Sequence, residues 1–298
     1  MSNQKNSDNK SNKKQNTKNM KINEWPRHGI QALWAFITNS HVTGFVTGKI
    51  YTGKLKNACV PGLNCYSCPG AVGACPIGSL QAVIGSWNFK MAYYVVGFLI
   101  FIGAMVGRLI CGFLCPFGLI QDLLNKIPFP KKRLWKGFTY VKYVILLVFV
   151  LLLPVVSVNT VGMGAPAFCE YICPAGTLEG GIPLLATHPE LRQIIGALFS
   201  FKACVLLLTL IGCLMICRFF CKVMCPLGAI YGILNKISLY HMEINTENCV
   251  SCGKCHAVCP MDVNPAENPD SAECIRCGRC VEGCSRQALI FRFGRTAS

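Results

Sequence analysis

The sequence predicts a mainly α-helical membrane protein, a bundle of four transmembrane helices with an internal duplication, followed by a small cysteine-rich α+β domain. Three observations predict it. The 298 residues are 52% hydrophobic and 14% charged, against about 25% charged in a typical soluble domain. A twenty-residue stretch, RLICGFLCPFGLIQDLLNKI from Arg108, returns 110 positions later as RFFCKVMCPLGAIYGILNKI from Arg218. After Glu243 the chain turns polar and carries eight closely spaced cysteines.

Residues 1–27 read as a disordered basic tail of Asn, Lys, Ser and Gln, without the compact apolar core of a signal peptide. Residues 28–240 form the membrane domain, and residues 241–298 the cysteine-rich one. About 20 apolar residues cross a bilayer. The spans fall at about 29–48, 89–110, 143–169 and 194–217. The first is weak, with Thr38-Asn39-Ser40-His41 at its middle. Lys202 interrupts the fourth and is expected to snorkel to the outer headgroups. Lys and Arg number 7 up to residue 28, 6 over 108–138 and 9 from Arg218 onward, against 4 over 49–90 and 1 over 159–193. By the positive-inside rule both termini are cytoplasmic, and the protein is a multi-pass component of the cell membrane. The net charge of +16 does not indicate nucleic acid, because the basic residues form no aromatic-interleaved stripe.

CVSCGKCHAVCP and CIRCGRCVEGCS both read C-x2-C-x2-C-x3-C. This is the spacing of bacterial two-cluster ferredoxins, in which the fourth cysteine of each run ligates the other cluster. Cys249, Cys252, Cys255 and Cys284 are therefore expected to hold one [4Fe–4S] cluster, and Cys259, Cys274, Cys277 and Cys280 the other. A zinc ribbon offers two pairs of ligands rather than two runs of four, and disulfides do not suit a reducing compartment.

C-P-x-G occurs four times, from Cys75, Cys115, Cys173 and Cys225, so each half of the duplication carries an outer and then an inner copy. Pro suits the first turn of a helix. A purely structural joint explains Pro and Gly but not the second cysteine four residues earlier in three copies, at Cys111, Cys169 and Cys221. The candidate redox or metal pairs are Cys111 with Cys115, Cys221 with Cys225, Cys169 with Cys173, and Cys68 with Cys75. The inner four are expected together beneath the ferredoxin module, as a metal site or a dithiol gate. Outer thiols could form disulfides. His41, an ionisable group within a predicted span, is the candidate quinone contact.

Four spans, C-x3-C-P motifs at their ends and a C-terminal two-cluster module resemble the NapH/MauN-type ferredoxin proteins over roughly residues 28–293, with the membrane part of the NosR regulators and the CcoG-type assembly proteins as relatives. The resemblance implies a membrane-bound iron–sulfur electron carrier between the quinol pool and another iron–sulfur or haem redox protein, for instance a quinol dehydrogenase subunit. It carries over Cys111, Cys115, Cys221, Cys225 and the eight cluster cysteines as functional. The alternatives are an assembly factor delivering electrons to a metal or disulfide client, and a redox sensor. The outer run CYSCPGAVGACPIG departs from the family pattern.

Overall fold

The computed structural model describes residues 24–86, 89–157 and 164–294; the tail predicted over 1–27 lies, up to residue 23, outside them. The chain is mainly helical, with one two-stranded antiparallel sheet, Tyr240–Ile244 against Leu289–Phe293. Among the described residues, two helices are long and apolar enough to cross a membrane, Lys136–Val156 and Ala197–Met215. Phe89–Val106 adds an 18-residue apolar helix. All three turn large apolar side chains outward: Ile100 and Phe101, Leu147 and Leu152, Leu207 and Leu208.

The continuous first span predicted over 29–48 does not form. A helix runs Trp25–Thr38 and stops, and a five-residue turn follows at Thr43–Thr47. Thr38 Oγ1 donates back to Trp34 O (2.9 Å) and Asn39 Nδ2 to Ala35 O (2.9 Å). These side chains satisfy the last carbonyls and end the helix where the sequence is polar. The third predicted span is shifted, beginning at Lys136 rather than Tyr143 and ending at Val156.

Each C-P-x-G motif starts a helix. Pro76–Gly85, Pro116–Asn125 and Pro226–Asn235 each have ten residues with Cys75, Cys115 or Cys225 as N-cap. Cys173 takes the same extended backbone conformation before the helical turns of Gly176–Gly181 and Ile182–Thr187. Ten residues measure about 15 Å, half of the roughly 30 Å hydrocarbon core. Short helical segments precede three of the motifs, Leu109–Phe113, Phe168–Ile172 and Phe219–Val223. One guanidinium ties both arms of the first motif together: Arg27 Nη1 donates to Gly112 O (3.3 Å) and to Asp122 Oδ2 (2.7 Å).

The cysteine-rich segment is itself a repeat of 25 positions. Ser251 and Arg276, Gly253 and Gly278, and Asp262 and Gln287 all have left-handed backbones. The first two pairs flank the second cysteine of each run. Alternating handedness there turns successive N–H groups toward one point, a nest suited to an anionic group.

Candidate functional site: rows of cysteines

Three cavities are each lined by four cysteines. The outermost in the ferredoxin segment is lined by Cys249, Cys252, Cys255 and Cys284. The second is lined by Cys259, Cys274, Cys277 and Cys280, with Ile275 and Met261. Each fourth cysteine thus lines the same cavity as the other run's first three. The third is lined by Cys111, Cys115, Cys221 and Cys225, with Leu63, Phe117 and Phe220. Among the described residues, no three His, Cys, Asp or Glu side chains stand close enough to hold a single metal ion. The donor sets are all thiol, the soft ligands of iron–sulfur clusters.

The inner set is built by the duplication. Gln121 Nε2 donates to Cys221 Sγ (3.1 Å) and Gly228 N to Cys225 Sγ (3.3 Å). Arg218 Nη1 donates to Cys111 O (2.6 Å), and Arg108 Nη2 to Cys221 O (3.3 Å). Both arginines are fully buried. A buried charge needs a partner. Arg218 has Asp122, at 2.9 and 2.7 Å; Arg108 has Glu273 of the ferredoxin segment, at 2.9 Å. Lys142 is also fully buried and pairs with Glu273.

The ferredoxin segment docks directly over this set. Gly112, next to Cys111, lies so close to Ile275 that a Cβ would come within 2.7 Å of the Ile275 carbonyl. Ile275 also lines the second cavity, so the Gly112–Ile275 contact brings the two sets together. Asn235 Nδ2 donates to Ser271 O (2.7 Å) and Cys274 O (3.2 Å), and Arg276 Nη2 to Ser238 Oγ (2.6 Å). Lys222 meets Asp262 at 2.5 Å.

The predicted outer pairs assemble differently. Cys75, Cys169 and Cys173 come together, but the fourth thiol is Cys65, not Cys68. A Cβ on Gly176 would lie 3.8 Å from Cys65 Sγ, and one on Gly78 3.9 Å from Cys169 Sγ. Gln81 Nε2 donates to Cys169 Sγ (3.2 Å), as Gln121 does to Cys221, and Cys65 N donates to Glu179 Oε2 (2.9 Å). Burial raises the Cys75 thiol to about 11 and Cys65 and Cys169 to about 12. Burial likewise pushes Glu179 up to about 7, against its bond from Cys65 N. Cys68 is buried on the neighbouring turn. Lys202 does not snorkel outward: its Nζ donates to Cys169 O (3.2 Å). None of the 21 cysteines forms a disulfide. His41 Nδ1 faces Pro69 O at 3.0 Å, its ring 5.3 Å from that of Tyr51.

The comparisons agree with this reading of the cysteines. A family model described as a 4Fe-4S binding domain matches residues 88–136, 144–183 and 197–243, and one described as a 4Fe-4S dicluster domain matches 241–285. An uncharacterized protein of Methanocaldococcus jannaschii is 29% identical over 224 residues, 72% of this chain and 82% of the relative. The putative electron transport protein YccM of Escherichia coli is 28% identical over 218 residues, 70% of this chain and 56% of its own. The methylamine utilization ferredoxin-type protein MauN of Methylorubrum extorquens is 30% identical over 201 residues, 65% of this chain and 58% of its own. The chain thus spans just over half the length of these two named relatives. No solved structure matches.

These matches and the cysteine geometry define an iron–sulfur protein. The chain belongs to the NapH/MauN-type 4Fe–4S ferredoxin family.

Proposed function

We propose that the protein is a membrane-embedded electron carrier in which Cys249, Cys252, Cys255 and Cys284, then Cys259, Cys274, Cys277 and Cys280, then Cys111, Cys115, Cys221 and Cys225 hold three [4Fe–4S] clusters in a row. The observation that carries it is the row itself: three four-cysteine cavities, the second and third brought together where Ile275, which lines the second, packs on Gly112, the neighbour of Cys111 in the third. Each cluster, when bound, supplies a one-electron couple. The protein supplies ligands, spacing and exclusion of water.

Membrane embedding is supported by the outward apolar faces of three helices, including Tyr93, Phe101, Leu147, Val155, Leu208 and Ile211. Contiguous apolar surface of that extent marks a lipid or partner contact. The Lys and Arg distribution supports a cytoplasmic ferredoxin segment, and the ion pair of Glu24 with Arg279 supports the start of the Trp25–Thr38 helix on that same side. A quinol donor is supported by a cleft of about 460 Å³ lined by Lys56, Cys59, Tyr66, Ser79 and Tyr94, within the usual range for small-molecule sites. That cleft replaces His41 as the quinone contact in this reading, since His41 does not line it. The electron acceptor is a second redox protein at the ferredoxin face, where Cys252 is exposed.

The test uses the full chain, purified anaerobically in detergent. A menaquinol analogue should reduce the clusters. Cys115→Ser with Cys225→Ser should keep the ferredoxin signals but block that reduction; normal rates in this variant would sink the row. A maleimide-free amine label should reach Lys54 from outside intact cells, and labelling only after lysis would refute the orientation.

A further inference from the structure

The family matches over the membrane part run from residue 88 to residue 243 and so leave out Cys65 and Cys75. Yet these two thiols complete a second set that repeats the inner one. In the inner set, two N-cap cysteines (Cys115, Cys225) are joined by a cysteine four residues before each, Cys111 and Cys221. In the outer set, Cys75 is an N-cap, Cys173 holds the same extended conformation before the helical turns that follow it, and Cys169 stands four residues before Cys173. The residue four before Cys75 is Ala71. Cys65 fills that place from the loop, reaching the Gly176 side of the Cys173 motif.

The side chains around the two sets correspond as well. The sixth residue after three of the four motif cysteines turns to its set: Gln121 to Cys221 Sγ, Gln81 to Cys169 Sγ and Glu179 to Cys65 N. Gly78 and Gly176 leave open the space in which a β-carbon would meet the thiols of Cys169 and Cys65. Cys75 and Cys173 are buried, Cys65 and Cys169 half-buried. Lys202 crosses from its apolar helix to the Cys169 carbonyl, placing a cation beside a set whose thiolates would carry negative charge.

We propose that Cys65, Cys75, Cys169 and Cys173 ligate a further [4Fe–4S] cluster, next to the inner four-cysteine set on the side away from the ferredoxin segment. The loop fixes that proximity. Leu63 lines the inner cavity, and Cys65 follows two residues later, at most about 7 Å along the chain. Tyr231, fully buried on the helix begun by Cys225, stands between, its hydroxyl donating to Pro61 O (3.0 Å). The set also adjoins the cleft of Lys56, Tyr66 and Tyr94, because Ser79 of that cleft is one turn along the helix that Cys75 caps. The cluster lies between that cleft and the rest of the row. This proposal extends the reading of three clusters but does not require the inner set to be loaded.

The experiment counts iron in the full chain grown on iron-57, purified anaerobically in detergent, by Mössbauer spectroscopy and sulfide analysis. With all four sets loaded the chain holds about sixteen irons. Cys75→Ala with Cys173→Ala should lose about four irons and leave the reduced ferredoxin signals unchanged. Cys115→Ala with Cys225→Ala is the separate control. If only that control loses iron, the outer proposal is overturned; if only the outer variant does, the inner reading fails and this one stands. Should the outer variant not fold, the unaltered chain decides. Anaerobic unfolding in the presence of an alkylating reagent, followed by peptide mass spectrometry, should find Cys65, Cys75, Cys169 and Cys173 all alkylated, with an iron count near sixteen. A disulfide among them, or a count near twelve with the inner set loaded, overturns it.

Discussion

Arg108 and Arg218, 110 positions apart, each donate to the backbone carbonyl of the first cysteine in the other's motif: Arg108 to Cys221 O at 3.3 Å, Arg218 to Cys111 O at 2.6 Å. The reciprocity ties the two repeats around one set of thiols. It breaks at the counter-ions. Arg218 pairs with Asp122 of the first repeat, but Gly232 occupies the corresponding place in the second. There the Ala272 carbonyl packs where a β-carbon would be, at 2.9 Å, and Glu273 supplies the missing carboxylate. The asymmetry makes one face of a pseudo-symmetric unit specific for the ferredoxin segment.

Glu273→Gln should therefore loosen docking while sparing the ferredoxin fold. Removing one member of a buried ion pair typically costs about 3–5 kcal/mol. Glu273 retains some solvent contact at 19% exposure, so the lower end, about 3 kcal/mol, is expected. Hydrogen exchange should rise at Ser271–Arg276 and at Asn235, with the cluster signals unchanged. Unaltered exchange would mean that Arg108 and Lys142 find another partner.

Gly112→Ala tests the closest approach. The added carbon would meet the Ile275 carbonyl at 2.7 Å, a backbone atom that cannot rotate away. Overpacking of this kind costs about 1–3 kcal/mol. The variant should keep its iron but transfer electrons more slowly between the inner set and the ferredoxin pair, read by rapid-freeze EPR. A rate equal to that of the unaltered chain would show that the path does not pass this contact.

Much of this was legible in the sequence. Ligand spacing is a local constraint, so the cavities that Cys259 and Cys284 line could be anticipated from it. The four C-P-x-G motifs were legible as a repeat for the same reason. Cys65 was not. It lies in an irregular loop with no period to fix its direction, and Cys68 followed by Pro69 looks more like the motif. The charge count used Arg108, Arg218 and Lys222 only to assign a side of the membrane, whereas all three are buried and paired or bonded within the protein. Counting sees charge but not the carboxylate opposite it. The break at Thr38-Asn39 was visible as polarity, but whether polar side chains end a helix depends on the carbonyls they find.

Asp122 gives a pH dependence with a definite sign. Burial alone would raise its carboxyl, but Arg218 and Arg27 override that and hold it well below the usual carboxylate range. The unfolded chain then binds the proton more readily, with an ordinary value of about 3.9. The stabilisation is fully present above that value and is lost as the pH falls below about 4 toward the folded value. Asp122→Asn should remove this acid-side loss and cost about 3–5 kcal/mol at neutral pH, because two buried guanidinium groups lose their carboxylate. Thermal melts at both ends of the range give both quantities. A melt at neutral pH unchanged by the substitution would contradict the assignment.

Exposure predicts an order of oxidative loss. The outermost set includes Cys252, which is exposed, with Cys249, Cys255 and Cys284 half-buried. The next set has Cys274 and Cys280 buried and is covered by Met242, Ile275 and Phe291. The innermost set is buried at all four thiols. Oxygen and chelators reach iron only where solvent does, so the rate of loss should follow that order. Air exposure of the purified protein should bleach its visible absorbance in at least two phases, the fast one releasing about four irons per chain. Cys252→Ala should lack the fast phase and start about four irons lower, while Cys274→Ala should keep it. A fast phase that survives Cys252→Ala and disappears in Cys274→Ala would invert the order, and with it the assignment of which cluster faces the partner.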